Sequence, residues 1–211
     1  MERKLLGLLN CLKKSLLELI YPSKNRCIIC NQEFVNGLCQ NCYKSIKYSD
    51  DEFCLGYYGG TLKRLILKLK YEGDFEAGRI IVEMLKEKIK NISSEFYLTY
   101  VPMDDEALSI RGFNQCEYLA QELANEEDRI VINTLIKVKK TKIQKTLSRE
   151  ERYENIKDAF KVVEEKQVYG RKFILIDDVI TTGATLSECI KVLKKSGADE
   201  IKILTVAKSY I

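Results

Sequence analysis

The sequence contains no histidine among its 211 residues. This absence removes the commonest general base, the Ser-His and Cys-His nucleophile pairs, and every zinc site that uses imidazole. Proline is scarce, with 2 residues, and there are 11 glycines, while 45% of the residues are hydrophobic and 31% are charged. Such a composition excludes disordered and collagen-like chains, and it predicts an ordinary globular protein with a hydrophobic core.

No hydrophobic run is long enough to cross a membrane. The Leu-rich N-terminal segment is interrupted by Asn10, Lys13 and Lys14, whereas a membrane-spanning helix needs about 20 mostly apolar residues. The segment also lacks a signal-peptide cleavage site, so we expect a cytoplasmic protein without stable membrane insertion. Its leucines recur at helical spacing until Pro22. This pattern predicts an amphipathic helix over 1–22 that docks on the protein itself, with a partner or a membrane surface as the alternatives.

Four of the eight cysteines form two pairs of Cys-x2-Cys spacing, Cys27 with Cys30 and Cys39 with Cys42. An Asn-Gly dipeptide between the pairs favours a tight hairpin that folds the second pair back onto the first. Two such pairs supply the four thiolates of a closed, structural zinc site, and an iron–sulfur site or a redox pair are the alternatives. We therefore predict a zinc module over 23–50, and we expect the other four cysteines to be small buried side chains.

Beyond Asp50 the chain alternates helical and extended patterns, which predicts an α/β domain over 51–211 with a largely parallel sheet. Its clearest part is a strand-turn-helix-strand unit, a connection that is right-handed in nearly all proteins. The unit has its strands at 173–176 and 201–207 and its helix at 184–196. Other expected elements are helices over 61–70, 78–90 and 114–125, a strand over 96–101, and a mobile loop entering a short helix over 137–155.

The turn after the strand 173–176 carries two acids and then a hydroxyl-rich run. Asp177 and Asp178 end the strand, and residues 181–185 have the sequence Thr-Thr-Gly-Ala-Thr. Backbone N–H groups at a helix start bind phosphate, and carboxylates beside them suit ribose hydroxyls or positive charge developing on a sugar carbon. A Walker B strand is the alternative, but the chain has neither a G-x4-G-K-[ST] loop nor the Rossmann glycine pattern. We therefore predict a site for the phosphate of a nucleotide sugar.

The run 173–185 resembles the signature of type I phosphoribosyltransferases, which bind 5-phosphoribosyl-1-pyrophosphate (PRPP) with magnesium. Further segments occur in an order similar to that of the ComF family of competence proteins, across nearly the whole chain. The pentapeptide Arg-Gly-Phe-Asn-Gln at 111–115 separates this family from general salvage enzymes. The other segments are the helix ending in Tyr21-Pro22, the cysteine pairs, Leu69–Gly73, Val101–Met103 and the pattern from Gln144 to Phe160.

The resemblance implies a mostly parallel sheet of the type I phosphoribosyltransferase kind, flanked by helices and preceded by a small helix and a zinc-ribbon-like module. It assigns the ribose hydroxyls of PRPP to Asp177 and Asp178, which would be the catalytic residues. Magnesium would be held mainly by substrate oxygens and water. The 5′-phosphate would be bound by the turn of Thr181, Thr182, Gly183, Ala184 and Thr185.

The resemblance also implies a pyrophosphate loop just after the strand 96–101. Its residues include Pro102 and Met103, and Arg111 would be a further contact to the pyrophosphate. A flexible hood falls on Lys137–Lys145. One departure is the acidic run 104–106, because relatives tend to carry basic residues there, and we expect it to weaken the hold on pyrophosphate.

Two functions follow from the resemblance. The first is a ComF-like protein whose Mg-dependent PRPP-binding domain serves competence and DNA uptake, with single-stranded DNA and a competence helicase as partners. Residues 1–48 carry a charge of +5 within a net charge of +4, which suits a polyanion, although the same charges also suit a solvated surface helix. The alternative is an active phosphoribosyltransferase, a glycosyltransferase that moves phosphoribosyl from PRPP to a nucleobase or amine. The sequence reveals no base-recognition element. Aromatic residues available for base stacking, or for packing the zinc module, are Tyr21, Phe34, Tyr43 and Tyr48.

Overall fold

The chain forms two compact units, Met1–Cys39 and Gln40–Ile211. The predicted helix over 1–22 lies outside the part of the chain that the structure describes, as does much of the predicted hood. The predicted divisions after residues 22 and 50 stay predictions. The computed structural model describes residues 26–33, 37–139, 141 and 149–209.

The described part of the first unit is a short turn closed by backbone hydrogen bonds. The Cys27 N–H donates to the Gln32 carbonyl at 2.8 Å, and the Ile28 N–H donates to the Gly37 carbonyl at 3.0 Å. Gly37 has a φ of +59°, the left-handed conformation that an Asn-Gly turn requires and that glycine adopts without strain. Asn36, the other residue of that predicted turn, lies outside the described residues.

A four-stranded parallel sheet forms the centre of the second unit. Its strand order is β1–β6–β5–β2, and β3 pairs with β4 in a separate antiparallel ladder. Residues 173–178 of β5 are all buried, as expected for a strand covered on both faces of a parallel sheet. The strands are β1 (Cys54–Tyr57), β2 (Phe96–Tyr100), β3 (Leu135–Lys137), β4 (Phe160–Val162), β5 (Lys172–Ile180) and β6 (Ile201–Lys208).

The helices follow from apolar periodicity and from capping residues. Ile81, Leu85 and Ile89 recur at a spacing of four on α3 and are completely buried, which is the expected core face of an amphipathic helix. Asp74 caps α3 by accepting a hydrogen bond from the Ala77 N–H, which satisfies one of the unpaired donors at the helix start. The helices are α1 (Gln40–Lys44), α2 (Gly60–Leu67), α3 (Phe75–Ile89), α4 (Asp105–Arg111), α5 (Gln115–Glu126), α6 (Arg149–Ile156) and α7 (Ala184–Lys195).

The predicted elements of the second unit are confirmed, with changed ends. The helix expected over 61–70 ends at Leu67 and continues as one π-helical turn over Lys68–Glu72. The short helix expected near the end of 137–155 is α6. Elements that were not predicted include α1, β1, α4 and the β3–β4 ladder. Among the helices in the described part of the chain, none combines the length and the apolarity that a bilayer crossing requires.

One part of the core lies between β5, α7 and the β3–β4 ladder, where Phe160, Leu175 and Leu193 belong to one buried cluster. Cys54, Cys116 and Cys189 are buried, as expected for small core side chains, and Cys11 lies outside the described residues.

The connections that leave β2 and β5 run in opposite directions along the sheet. After β5 the chain returns to the sheet as β6, which pairs with β5 on the side toward β1. After β2 the chain returns at Val131, which forms a parallel bridge with Leu98 of β2. The carboxyl ends of β2 and β5 therefore border the crevice where ligands bind in open α/β sheets.

Candidate functional site

Two adjacent carboxyl groups lie at the end of β5. Asp177 and Asp178 are 8% and 7% exposed. The Asp178 N–H donates to Asp177 Oδ1, and the Val179 N–H donates to Asp178 Oδ1, each at 2.9 Å. The thiol of Cys116, at the start of α5, donates to Asp177 Oδ1 at 3.7 Å. The strand end and the first turn of α5 thus fix the orientation of both carboxyl groups.

The outer oxygen of Asp178 has two side-chain donors from other elements. Lys70 Nζ lies 2.8 Å from Asp178 Oδ2 in an ion pair. Gln115 Nε2 donates to the same oxygen at 3.3 Å. Lys70 belongs to the π-helical turn that ends at Gly73 with a φ of +63°. Such turns are rare and are frequently found at functional sites.

Burial and charge shift the pKa values of this cluster. Burial, and then the charge of Asp178, raise the pKa of Asp177 to about 7. Burial also raises the pKa of the Cys116 thiol well above its ordinary value, and the two carboxyl groups add to the effect. Burial opposes the charged form of Lys70, but the nearby Asp178 carboxylate outweighs it and raises the pKa of the ammonium group. The site therefore contains one ion pair and one carboxyl group that titrates near neutral pH.

A cavity of about 350 Å³ opens beside the acid pair. Asp177, Asp178 and Val179 line it from the end of β5, and Thr181 and Thr185 line it from the turn that follows. The structure thus brings the predicted ribose-binding acids and two of the predicted phosphate-binding threonines to one cavity.

The predicted phosphate turn forms the N-terminus of α7. Gly183 is the N-cap with a φ of +78°, and a Cβ at this position would meet no atom within 4 Å. The Ala184 N–H donates to Thr182 Oγ1 at 3.4 Å, and Tyr153 Oη donates to the Thr182 carbonyl at 3.0 Å. A helix start of this kind presents backbone N–H groups and the positive end of the helix dipole to an anion.

The predicted pyrophosphate loop follows β2, next to the end of β5. The Val101 N–H donates to the Ile176 carbonyl, and Asn114 Nδ2 donates to the Val101 carbonyl, each at 3.0 Å. Pro102 and Met103 are half-buried in this loop. The loop is therefore tied both to the strand that carries the acid pair and to the start of α5.

The Arg111 guanidinium group contacts three nearby side chains. Its Nη1 lies 2.5 Å from Gln115 Oε1 and 3.4 Å from Met103 Sδ, and its guanidinium group lies 5.4 Å from the centre of the Tyr71 ring. Since Gln115 also donates to Asp178, two successive hydrogen bonds connect Arg111 to the acid pair. Pro102, Met103 and Arg111 are not among the described residues that line the 350 Å³ cavity.

The acidic run 104–106 has a structural use. Asp104 caps α4 by accepting from the Ala107 N–H at 2.9 Å, and it also accepts from Lys137 Nζ at 3.0 Å. The backbone hydrogen bond, and then Lys137, lower the pKa of Asp104. Asp105 and Glu106 occupy the first turn of α4, where negative charge interacts favourably with the helix dipole. The pattern of a capping Asp followed by acids could have predicted this helix from the sequence.

The four paired cysteines lie together, and all of their sulfur atoms are within 4.8 Å of one another. The sulfur atoms of Cys30 and Cys39 are 3.5 Å apart, and none of these four cysteines forms a disulfide bond. Burial opposes ionisation of Cys27, but backbone N–H groups of Cys39 and Cys30 outweigh it and lower the pKa to about 6. Four soft sulfur donors at this separation are compatible with zinc.

Several residues of the site were not predicted from the sequence. Lys70 and Gln115 lay inside segments that had been singled out, but nothing local indicated that both reach Asp178. Tyr58 and Tyr71 line the cavity, and they were not identified as candidates. A tyrosine that follows a strand, or one that follows a lysine, is too common a pattern to mark a binding site.

Comparison with known proteins agrees with this geometry. Residues 114–209 match the phosphoribosyl transferase domain family. Competence protein F of Haemophilus influenzae is 32% identical over 179 residues, which cover 81% of this chain and 78% of that protein. The DNA utilization protein YhgH of Salmonella typhi is 28% identical over 162 residues, which cover 72% of this chain and 69% of that protein.

Among solved structures, an APRTase from Giardia lamblia complexed with 9-deazaadenine superposes with a TM-score of 0.44 and 17% sequence identity. That match covers 64% of this chain and 69% of the other. The region 114–209, which is similar to the phosphoribosyl transferase domain family, contains the acid pair, the turn and α7. Because the similarity to Competence protein F extends over most of both chains, this chain belongs to the ComF family of competence proteins.

Proposed function

We propose that the second unit binds PRPP together with magnesium, and that the protein serves the uptake or use of DNA. One observation carries the first part of this proposal. The buried Asp177 and Asp178 line the same cavity as Thr181 and Thr185, which belong to the helix start at α7. Ribose hydroxyl donors and a phosphate group on one ligand match this pairing of carboxylates with backbone N–H groups. The names of the relatives, a competence protein and a DNA utilization protein, support the second part.

In this proposal each segment of the site has one task. The acid pair accepts hydrogen bonds from the two ribose hydroxyls and stabilises positive charge that develops on the sugar carbon. The turn 181–185 donates backbone N–H groups to the 5′-phosphate. The loop Val101–Asp104 faces the pyrophosphate, and Arg111 holds that loop through Met103.

Magnesium fits the oxygen-rich chemistry of this site, since hard cations prefer carboxylate and phosphate oxygens. Lys70 already pairs with Asp178, so the ion would be bound mainly by oxygens of the ligand, with Asp177 nearby. When bound, magnesium would neutralise charge on the pyrophosphate. Transfer of the phosphoribosyl group to an acceptor is the alternative function, and it would use the same contacts.

Two further assignments belong to this proposal. Cys27, Cys30, Cys39 and Cys42 hold a structural zinc ion, which is supported by their spacing and by the proximity of their sulfur atoms. Single-stranded DNA is the proposed nucleic-acid partner, and a competence helicase is the proposed protein partner. The rings of Tyr43 and Tyr48 lie 6.3 Å apart and are 50% and 44% exposed, which makes them suitable for stacking on bases.

A thermal-shift titration with PRPP and magnesium tests the ligand proposal. A ligand at 100 times its dissociation constant stabilises the folded state by about 2.7 kcal/mol, so the wild type should melt at a clearly higher temperature. The double variant Asp177→Asn, Asp178→Asn should lose this shift. The matched control Asp199→Asn changes an exposed acid before β6 and should keep it. A full shift in the double variant would contradict the assignment of the ribose to the acid pair, and measurement of released pyrophosphate distinguishes binding from turnover.

A further inference from the structure

Tyr153 of α6 contacts the turn that the proposed function assigns to the 5′-phosphate. Its hydroxyl donates a hydrogen bond to the Thr182 carbonyl at 3.0 Å, across 29 positions of the chain. Tyr153 is 39% exposed, so the hydrophobic core depends little on its ring. It is therefore a surface side chain whose hydroxyl binds one peptide group of the turn.

Other contacts hold α6 against α7. Ile156 is 2% exposed and belongs to the same buried cluster as Ala184 at the start of α7. Just beyond the end of α6, the Asp158 N–H donates to Glu188 Oε1 at 3.0 Å. Because these contacts fix the helix without the Tyr153 hydroxyl, that hydroxyl is available to restrain the turn.

The hydrogen bond sets the orientation of the peptide group between Thr182 and Gly183. The chain has no cis peptide bond, and in a planar trans peptide the C=O and the N–H point in opposite directions. Since the Thr182 carbonyl points to Tyr153, the Gly183 N–H points away from α6. Gly183 has a φ of +78°, and glycine adopts positive and negative φ about equally well. Rotation of this peptide by half a turn would therefore meet little resistance from Gly183, and it would exchange the positions of the N–H and the carbonyl oxygen.

We propose that Tyr153 is a positioning residue for the 5′-phosphate, because its hydroxyl keeps the Thr182–Gly183 peptide with the N–H, not the carbonyl oxygen, toward the anion. This inference rests on the proposed function, which assigns the phosphate to the turn 181–185. The N–H donates a charge-assisted hydrogen bond to the phosphate, whereas a carbonyl oxygen in its place repels the negative charge. Within the turn, the hydrogen bond from the Ala184 N–H to Thr182 Oγ1 is long at 3.4 Å, so the restraint depends mainly on Tyr153.

Calorimetric titration of the full-length protein with ribose 5-phosphate tests this inference. Tyr153→Phe removes only the hydroxyl, and we expect it to weaken binding about tenfold, the factor that 1.4 kcal/mol represents. Ile156→Val is the matched control within α6. It loosens the packing of the helix but leaves the hydroxyl in place, so it should lower the free energy of unfolding without changing the affinity. Tyr169→Phe, which alters a tyrosine that is 78% exposed, should change neither quantity.

Nuclear magnetic resonance of the backbone amides reports the orientation of the peptide itself. When ribose 5-phosphate binds the wild type, the Gly183 amide proton should shift downfield, because its N–H donates to the phosphate. In Tyr153→Phe this shift should be lost at saturating ligand. A general loss of stability would weaken binding but would leave the shift at saturation unchanged.

The outcomes separate this inference from the proposed function. If ribose 5-phosphate fails to bind the wild type, the proposed function is wrong and the role of Tyr153 is wrong with it. If ribose 5-phosphate binds the wild type and Tyr153→Phe equally well, the role of Tyr153 alone is wrong. An equal loss of affinity in Ile156→Val, or a Gly183 resonance that does not move when the wild type is saturated, would also overturn it.

Discussion

Asp177 makes the stability of the second unit depend on pH near neutrality. Its pKa is about 7 in the folded protein, against an ordinary value of 3.8, because burial and the charge of Asp178 disfavour its ionised form. The folded state therefore holds this proton more tightly than the unfolded chain does. The stability that the group contributes is fully present below about pH 4 and is lost as the pH rises through 7.

The size of this effect follows from the two pKa values. Each unit of difference corresponds to about 1.36 kcal/mol, and most of the loss falls between pH 5 and pH 8. Over that interval the Asp177 contribution to the free energy of unfolding should fall by about 2 to 3 kcal/mol. Asp177→Asn keeps an oxygen that accepts from the Asp178 N–H and the Cys116 thiol, but it cannot ionise. The free energy of unfolding of this variant, measured relative to wild type, should therefore rise by the same amount over the interval.

Urea unfolding followed by far-ultraviolet circular dichroism at pH 5, 6, 7 and 8 measures this difference. The comparison of variant with wild type at each pH cancels the contributions of the other titrating groups. Asp199→Asn serves as the control and should follow the wild-type curve. Parallel curves for Asp177→Asn and the wild type would refute the argument, because they would mean that Asp177 titrates equally in the folded and unfolded states.

Three further predictions follow from other contacts. Lys70→Met leaves the buried Asp178 carboxylate without its ion-pair partner and should lower the free energy of unfolding by about 1 to 3 kcal/mol. Adding Asp178→Asn should recover most of this loss. Additive losses in the double variant would contradict the pairing. Gly78→Ala would place a Cβ 2.3 Å from Tyr118 Cε1, so it should lower the free energy of unfolding by about 1 to 3 kcal/mol. Replacing glycine by alanine usually stabilises an exposed helix, and such a gain here would show that the Tyr118 ring moves aside without cost. Cys30→Ser should abolish the binding of one zinc ion per chain, measured by elemental analysis, and should leave the N-terminal residues sensitive to protease, because zinc binding in small modules contributes about 10 kcal/mol of folding free energy; wild-type protein purified without chelator and free of zinc would contradict the metal assignment.

Local signals were sufficient to predict the central strand and the helix that follows it. The uninterrupted apolar run 173–176 can only be a buried element, and Gly197 ends the α7 pattern where the structure ends it. The β3–β4 ladder could not be predicted in this way. Its strands have three residues each, and Leu135 pairs with Val162, so the pairing depends on tertiary packing rather than on any periodicity.

Residues of the candidate site could be predicted only where they are close together in sequence. The acid pair and the turn 181–185 lie within nine residues of the chain, and their chemistry was recognisable from residue types alone. The contact of Lys70 with Asp178 joins residues 108 positions apart, so it depends on the tertiary fold and has no local signal in the sequence. The positions of Tyr58 and Tyr71 in the cavity lining depend on the tertiary fold as well, so nothing in the sequence suggested grouping them with the acid pair.

The pentapeptide 111–115 connects the loop after β2 with the acid pair of β5. Gly112 ends α4 with a φ of +81°, the left-handed conformation that terminates helices with little strain. Asn114 then caps α5 and donates to the Val101 carbonyl, while Gln115 reaches Asp178. Arg111 accordingly orients Gln115 and Met103.

Arg111 contacts residues on both sides of the site, so a ligand that moved Arg111 would affect both. In the proposed complex, a pyrophosphate that draws the Arg111 guanidinium group toward itself would weaken the hydrogen bond between Arg111 and Gln115. Gln115 is one of the two side-chain donors to the outer oxygen of Asp178. The remaining donor, Lys70, is next to Tyr71, whose ring lies against the same guanidinium group. Under the proposed function, a ligand at the pyrophosphate loop would therefore change both the hydrogen bonding of the acid pair and the surroundings of Tyr71, because both depend on the position of Arg111.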